Sequence, residues 1–574
     1  MIFQQNESGY NQKNCSLFLN TAICYYQYII QGRKSLKTME GNSMRKTFKK
    51  LLALMLAATM TVSFAACGGG EQGGTTPEPT TAGTTDNAGE DNSTGEKKDL
   101  DKLTIMVDGT VQFANPAHGG AQFEAELEKL MGIDVEIIMP DHSSYYSTVS
   151  QTFANPDKSY WPDIVLMGST YYVQYAQNGI LVDVTDMWNN SEIKASGRVT
   201  NEQIFEDSLV DGKLYGIAPS RGNGCVTYVK KTWLERAGYT MDDLPTTYAE
   251  YIEMLEAFQD LSPEGYALTS AGLVNEEAPY TNYLPEFFWN AYPDFYQKAD
   301  GEWVDGFTQP EMYDALERLA EAVGDGLIDP EFSTNKTSDC RNKFYADKCG
   351  VFTYWAGTWA SNLEENLALI GSPSELVALE PIEELGNYVE RYAPMWVITT
   401  ACENPEQAFD LFFGTMLDGA EGQSLWTYGV EDLHWSTKAE TITTGTGRKA
   451  KSIAYADGEF HFKADLETGV SLYNKNHIDP MLAVVSFADG KDVGAGAIDE
   501  TATASANLFY ANSVSAPKMV SNDAMYKYYS TVMSARIRLV DMVASGEYSI
   551  EDAMARYEDE QGANVQAILD ALNK

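Results

Sequence analysis

From residue 102 onward the chain alternates short apolar runs with helical periods, and that rhythm limits its fold more than any other feature. Residues 103–107 read as a strand, 123–131 place apolar side chains at helical spacing, and 135–139 form a second apolar run. A third strand, 163–167, leads into a helix-like stretch, 171–177, closed by Asn178-Gly179. Strand, helix and strand in this order predict an α/β fold with a parallel sheet. Ligands of such sheets sit beyond the carboxyl ends of the strands, so the loops after Val107 and Met167 are the first places to look. Further along, 213–218 reads as a strand entering the polar run 219–224, followed by a strand at 226–229. Residues 245–258 predict a helix with Thr246 or Thr247 as its N-cap. Residues 350–355 form an apolar strand ending in aromatics, and 523–572 is helical in period with a break at Gly546. No internal repeat is visible.

Upstream, Arg45, Lys46, Lys49 and Lys50 precede an apolar run, 51–64, that closes on Phe64-Ala65-Ala66-Cys67-Gly68. Positive, then apolar, then small is the layout of a secretory signal. The run falls short of the roughly 20 apolar residues that span a bilayer. It resembles a lipoprotein signal, 44–66, whose lipobox ends at Cys67, with Phe64 where Leu is usual. Cys67 would then be the lipidated mature N-terminus, anchored by two or more acyl chains, palmitate among them, at about 0.8 kcal/mol per buried CH₂. Residues 1–43 are either a start-site artefact before an initiating Met44 or a cytoplasmic extension. Residues 67–100 are almost devoid of hydrophobic side chains until their last position and read as a flexible tether.

The chain carries 40 basic and 83 acidic residues, a net charge of −43. Phosphate backbones and anionic lipid heads repel such a surface, so nucleic acid is excluded as a partner class. The acidity suits a solvated surface that stays off the membrane to which it is tethered. Cys225, Cys340, Cys349 and Cys402 form no C-x-x-C pair, and histidines are few, which argues against structural zinc. Cys340 and Cys349 either pair across a short loop or remain buried thiols. No D-x-[DN]-x-[DN]-G loop, G-x-S-x-G, H-E-x-x-H or P-loop occurs, so neither metal nor cofactor nor catalytic machinery is expected.

Several segments together resemble one family. They are Trp161-Pro162-Asp163-Ile164-Val165-Leu166, Tyr175-Ala176-Gln177-Asn178-Gly179-Ile180-Leu181-Val182-Asp183, Asp211-Gly212-Lys213-Leu214-Tyr215-Gly216-Ile217-Ala218-Pro219, Gly326-Leu327-Ile328-Asp329-Pro330 and Asn404-Pro405-Glu406-Gln407-Ala408. The chain is similar to the family 1 extracellular solute-binding proteins, the maltose-binding-protein-like components of carbohydrate ABC importers. Tyr428-Gly429-Val430-Glu431-Asp432-Leu433-His434-Trp435 resembles a block of the longer lipoprotein subgroup, which usually has Gly at position 432 and Tyr at 435. The resemblance implies a two-lobed, periplasmic-binding-protein-like type II fold with hinge crossovers and a ligand cleft. It divides the chain into 101–220 as the first part of lobe 1, 221–385 as the first part of lobe 2, 386–435 as the second part of lobe 1, and 436–574 as remaining lobe segments, mainly helical at the C-terminus. Crossovers are expected at 217–226, 379–397 and 426–435. A monomer handing a small-molecule ligand to an ABC permease is the implied role; a peptide-binding component or a surface adhesin are the alternatives.

A sugar presents apolar C–H faces and a rim of hydroxyls, so its site needs aromatic platforms and fixed polar groups. With 10 Trp and 34 Tyr the chain has platforms in excess. The resemblance points first to Trp359, in its Gly-x-Trp position. Trp355, Trp161, Tyr171 and Tyr172 follow as aromatic candidates, Ser169 and Thr170 as hydroxyl partners, and Gln112 and Asn115 as amides in the first loop. Arg221 and Asn223 lie in the first crossover, where Arg221 would suit a carboxylate such as a uronic acid's or else pair between lobes. Glu286 and Trp289 belong to a segment resembling the family's ligand-facing loop. His434 and Trp435 complete the candidates.

Overall fold

The computed structural model describes residues 98–108, 119–141, 144–270, 283–373, 375–444, 451–464, 478–497, 500–516 and 522–574. All belong to one compact unit, Gly95–Lys574. The signal, Cys67, nearly all of the tether, and Gln112 and Asn115 lie outside the described residues.

The predicted rhythm yields a five-stranded sheet. Strands β1 (Lys102–Met106), β2 (Asp134–Ile138) and β3 (Ile164–Met167) run parallel, with β1 in the middle. The helix Gly120–Met131 connects β1 to β2 and buries Phe123 and Leu127. A distant strand, β12 (Met395–Ile398), then lies antiparallel beside β3, and β4 (Gly216–Ile217) pairs on its far side. The order is β2-β1-β3-β12-β4. Of the strand expected at 213–218 only β4 joins the sheet, because Val210 and Lys213 pair with each other around Asp211 and Gly212, both at positive φ.

The second sheet has the order β10-β5-β9-β6, with β5 at Cys225–Lys230, β6 at Leu268–Thr269, β9 at Val351–Trp355 and β10 at Leu376–Ala378. Here β5 runs antiparallel to both β9 and β10, and β6 runs parallel to β9, so this sheet is mixed. Alternation along β5 and β9 sends side chains to two cores. Val229 and Val351 join Trp233, Phe258, Leu319 and Val540 on one face. Val226, Tyr228, Phe352 and Tyr354 join Leu363 and Phe509 on the other. The first lobe's core gathers Ile105, Phe123, Val165, Trp396, Phe412 and Trp426.

Local signals were specific. Thr247 caps the helix Tyr248–Leu261 in a reciprocal capping box with Glu250, an arrangement worth about 1 kcal/mol. The C-terminal period resolves into Asp523–Ala544 and Ile550–Leu572, parted by Gly546 at φ 72°. These helices pack against a hairpin, β7 (Phe295–Gln297) and β8 (Trp303–Asp305). Cys340 and Cys349 are both buried free thiols, with the Cys340 thiol pushed up to about 12 by burial.

Residues 426–435 stay within the first lobe rather than forming a third crossover. Trp426 is in its core, and Leu433 and His434 lie against Gly119 at the start of the first helix. Two further ladders intervene, β13 (Trp435–Ser436) with β16 (His461–Phe462) and β14 (Glu440–Thr444) with β15 (Lys451–Tyr455). The chain enters the second lobe only with the helix Glu500–Ala511, whose Phe509 joins that lobe's core. It then pairs β17 (Ser513–Ser515) with β11 (Tyr388–Glu390).

Candidate functional site

Two chain passages join the sheets and lie against each other. The first, 218–224, links β4 to β5, and the second, 391–394, leads from β11 into β12. The Arg391 amide donates to the Asn223 carbonyl at 3.1 Å. A Cβ at Gly222 would sit 1.6 Å from the Arg391 carbonyl oxygen, so only glycine permits this approach. Residues 478–485 run alongside. The Arg221 amide donates to Leu482 O at 2.8 Å, and the Val484 amide to Pro219 O at 3.0 Å. Gly222→Ala is therefore expected to push the passages apart and destabilise the chain by about 1–3 kcal/mol. Limited proteolysis of the junction reads the change, and unaltered cleavage with an unaltered melting temperature would show that the contact is yielding.

The edge of the second lobe's sheet meets this junction. β9 ends at Trp355, the chain turns through Ala356 and Gly357, the latter at φ 75°, and the helix Thr358–Leu369 begins. Asn223 Nδ2 donates to Ala356 O at 3.1 Å, and Thr358 Oγ1 donates to Asp479 Oδ2 at 2.8 Å. The turn is thereby tied to the first passage and to 478–485 together. Burial holds the Asp479 carboxyl above the ordinary range, against the bonds donated by the Met481 amide and Thr358.

Four aromatic rings form a wall here. Trp359 meets Tyr354 edge-on at 5.1 Å, Tyr354 lies nearly parallel to Tyr283 at 6.3 Å, and Tyr283 meets Trp355 at 6.3 Å. Both tryptophans are partly exposed. The Arg391 guanidinium stands 4.3 Å from the Trp355 ring, and that of Arg341 stands 5.3 Å from the Trp359 ring. The sequence reading did not single out either arginine. Arg391 falls inside the expected second crossover, which was a usable signal, whereas nothing in the sequence links Arg341 to Trp359.

The other candidates are placed as follows. Arg221 is engaged by Glu390, with Nε donating to Oε1 at 3.0 Å and Nη2 bonding Oε2, and its guanidinium lies 3.6 Å over the Tyr510 ring. Asn223 is buried, with its Oδ1 accepting from the Gly224 amide. Glu286 is buried inside the second lobe and accepts from Thr227 Oγ1. Trp289 packs on the same core beneath Arg318, whose guanidinium is 4.0 Å from its ring. In the first lobe, Ser169 and Thr170 open the helix Ser169–Gln177 directly beyond β3. Tyr171 stacks on Tyr146 at 4.4 Å. The Tyr172 hydroxyl donates to Ser208 O and accepts from the Tyr215 amide, and burial raises it well above the ordinary range. Trp161 precedes β3, six residues before Met167 and so about 20 Å from the strand's carboxyl end. Its indole donates to Asn155 O at 3.0 Å. His434 is buried and its Nδ1 accepts from the Val430 amide at 2.8 Å, which leaves the ring proton on Nε2. Trp435 donates to Gly429 O at 2.9 Å and stacks on Phe460. Among the described residues no group of three His, Cys, Asp or Glu side chains could hold a metal ion, and no helix is long and apolar enough to cross a membrane.

Lipoprotein LipO of Bacillus subtilis (strain 168) is 22% identical over 354 residues, which are 57% of this chain and 66% of LipO. The chain thus spans just under two thirds of that relative's length. Two solved structures share the fold. The alginate-binding protein AlgQ2 without calcium ion matches with a TM-score of 0.58 at 16% identity, over 82% of this chain and 98% of its own. The N-glycan transport solute-binding protein NgtS of Streptococcus pneumoniae, in complex with Man1GlcNAc, matches at 0.54 and 15% identity, over 82% and 97%. The architecture is that of the two-lobed type II binding proteins. A family model for the bacterial extracellular solute-binding proteins matches residues 115–412, just over half of the chain. The chain belongs to the bacterial extracellular solute-binding proteins.

Proposed function

We propose that the protein captures an oligosaccharide at the junction of its two lobes and, anchored by lipid at Cys67, delivers it to an ABC importer without altering it chemically. The two partly exposed tryptophans of the aromatic wall, Trp355 and Trp359, backed by the buried Tyr283 and Tyr354, are the observation that carries this reading. Flat rings beside two hinge passages and a fixed acid, Asp479, suit a ligand with apolar faces and hydroxyl edges. Closure of the lobes about the passages would report occupancy to the importer. The names of the relatives, a lipoprotein and proteins that bind alginate or carry N-glycans, agree with this role. The tether would let the lobes stand clear of the anionic membrane.

Thermal unfolding against oligosaccharides and peptides tests the proposal, because a ligand at 100 times its Kd adds about 2.7 kcal/mol. A shift with a glycan is expected. Trp359→Ala should weaken that glycan's binding roughly thirtyfold, the effect of removing an aromatic anchor worth about 2 kcal/mol. A shift with peptides alone would reassign the ligand, and silence across the panel would favour an adhesin.

A further inference from the structure

We infer that the captured oligosaccharide carries an anionic substituent, a carboxylate or a sulfate ester, received by Arg391 and Arg341 at the ends of the aromatic wall; this rests on the capture reading above. Acidic residues outnumber basic ones about two to one in this chain, so a cation finds a carboxylate easily. Other arginines show it. Arg221 pairs with Glu390, Arg536 with Asp294 and Asp305, and Arg538 and Arg556 with Glu560. Where no carboxylate is used, main-chain carbonyls serve instead, as for Arg198 with Leu417 and Ser486, and Arg318 with Phe287 and Trp289.

Arg391 and Arg341 differ. Among the described residues no carboxylate lies within ion-pair distance of either. Arg391 Nε is buried without any hydrogen-bond partner, and Arg341 has the Tyr354 hydroxyl, at 2.5 Å from Nη1. Each is partly exposed and set against a wall tryptophan. A buried donor left unsatisfied costs free energy that a bound acceptor recovers. A guanidinium against an indole keeps in-plane N–H groups free to meet two oxygens of a carboxylate or a sulfate ester at once, while the exposed indole faces accept sugar rings. Arg221, the cation suggested by sequence for a uronic acid, is already neutralised by Glu390. The charge-reading role therefore passes to the two wall arginines, which among the described residues have neither a carboxylate nor a main-chain carbonyl as partner.

Isothermal titration of the full chain with neutral, uronate and sulfated oligosaccharides of matched length tests this. Binding of a charged glycan is expected, weakening as salt rises. Arg391→Gln should lower its affinity at least tenfold, with partial recovery in Arg391→Lys. Arg341→Gln, in the helix Thr337–Tyr345 and away from the passages, should act in the same direction and guards against a hinge defect in the first variant. A response to uronates alone identifies the carboxylate, and one to sulfated glycans alone identifies the sulfate. Exclusive binding of neutral glycans would overturn this inference while leaving capture intact. So would a charged glycan whose affinity neither glutamine variant changes. A chain that binds no glycan would overturn the capture reading and this one with it.

Discussion

Arg536→Met is expected to cost the fold about 3–5 kcal/mol, the usual penalty for removing one partner of a buried ion pair. Arg536 is fully buried on the helix Asp523–Ala544. Nη1 donates to Asp294 Oδ1 at 2.9 Å, Nη2 to Asp305 Oδ1 at 2.7 Å, and Nε to the Tyr557 hydroxyl at 2.9 Å. That hydroxyl in turn donates to Asp305 Oδ2 at 2.9 Å, and Tyr529 bonds Asp294. One guanidinium thus ties both C-terminal helices to the β7–β8 hairpin. Its two carboxylate partners hold it charged, outweighing the burial that would lower its pKa. Methionine fills much of the space but abandons Asp294 and Asp305, of which Asp305 is almost fully buried. Urea unfolding would show a lower midpoint, and adding Asp294→Asn and Asp305→Asn should recover much of the loss, since the isolated charges are what cost most. A single-variant loss below about 1 kcal/mol would mean that water reaches the carboxylates.

The legibility of this chain in its sequence differs between backbone and site. Strand rhythm, the Thr247 cap and the Gly546 break are local signals, and the elements they imply are present, although helix ends shift by up to three residues and the strand expected at 213–218 shrinks to Gly216–Ile217. Long-range pairing is not local. That β12 arrives antiparallel beside β3, more than two hundred residues later, follows neither from periodicity nor from the resemblance, which implied only that 386–435 returns to lobe 1. The passages were placed by the resemblance, the first of them also by its polar, glycine-containing run 219–224, yet their partners were not legible. Arg221 and Asn223 have the types and positions of ligand-binding residues, and the structure engages them with Glu390, Ala356 and Gly224. Whether a polar side chain in a hinge serves the hinge or the cleft depends on what faces it from another segment, which spacing along one chain does not encode. Arg391 illustrates the converse, since what distinguishes it is a missing partner. Asp432, where the related block has glycine, sits at φ 61°, a conformation that explains the usual residue and that aspartate tolerates better than most.

Glu286→Gln is expected to make the protein more stable at neutral and alkaline pH, by an amount that builds between about pH 4.5 and 7 and then stays level. The Glu286 carboxyl lies 2% exposed in the second lobe. It accepts a hydrogen bond from Thr227 Oγ1 at 2.5 Å, and Thr227 shares another with Thr353 at 2.8 Å. Desolvation raises this acid from an ordinary 4.5 to about 7, with the Thr227 bond opposing the rise. The unfolded chain therefore releases the proton near pH 4.5, whereas the folded chain keeps it until about 7. Between those values the folded state binds more protons, so stability falls as pH increases. At about 1.4 kcal/mol per pH unit the fall reaches roughly 3 kcal/mol and levels off above pH 7. Glutamine offers Thr227 the same carbonyl acceptor without a proton to lose. The two proteins should then unfold alike near pH 4 and diverge through pH 5–7, with the variant ahead at pH 8. The gap between their urea midpoints, followed across that range, measures the free energy of ionising a carboxylate against the two threonines of β5 and β9. A gap that stays constant with pH would show that Glu286 is already ionised at pH 5, and that its charge is met within the lobe.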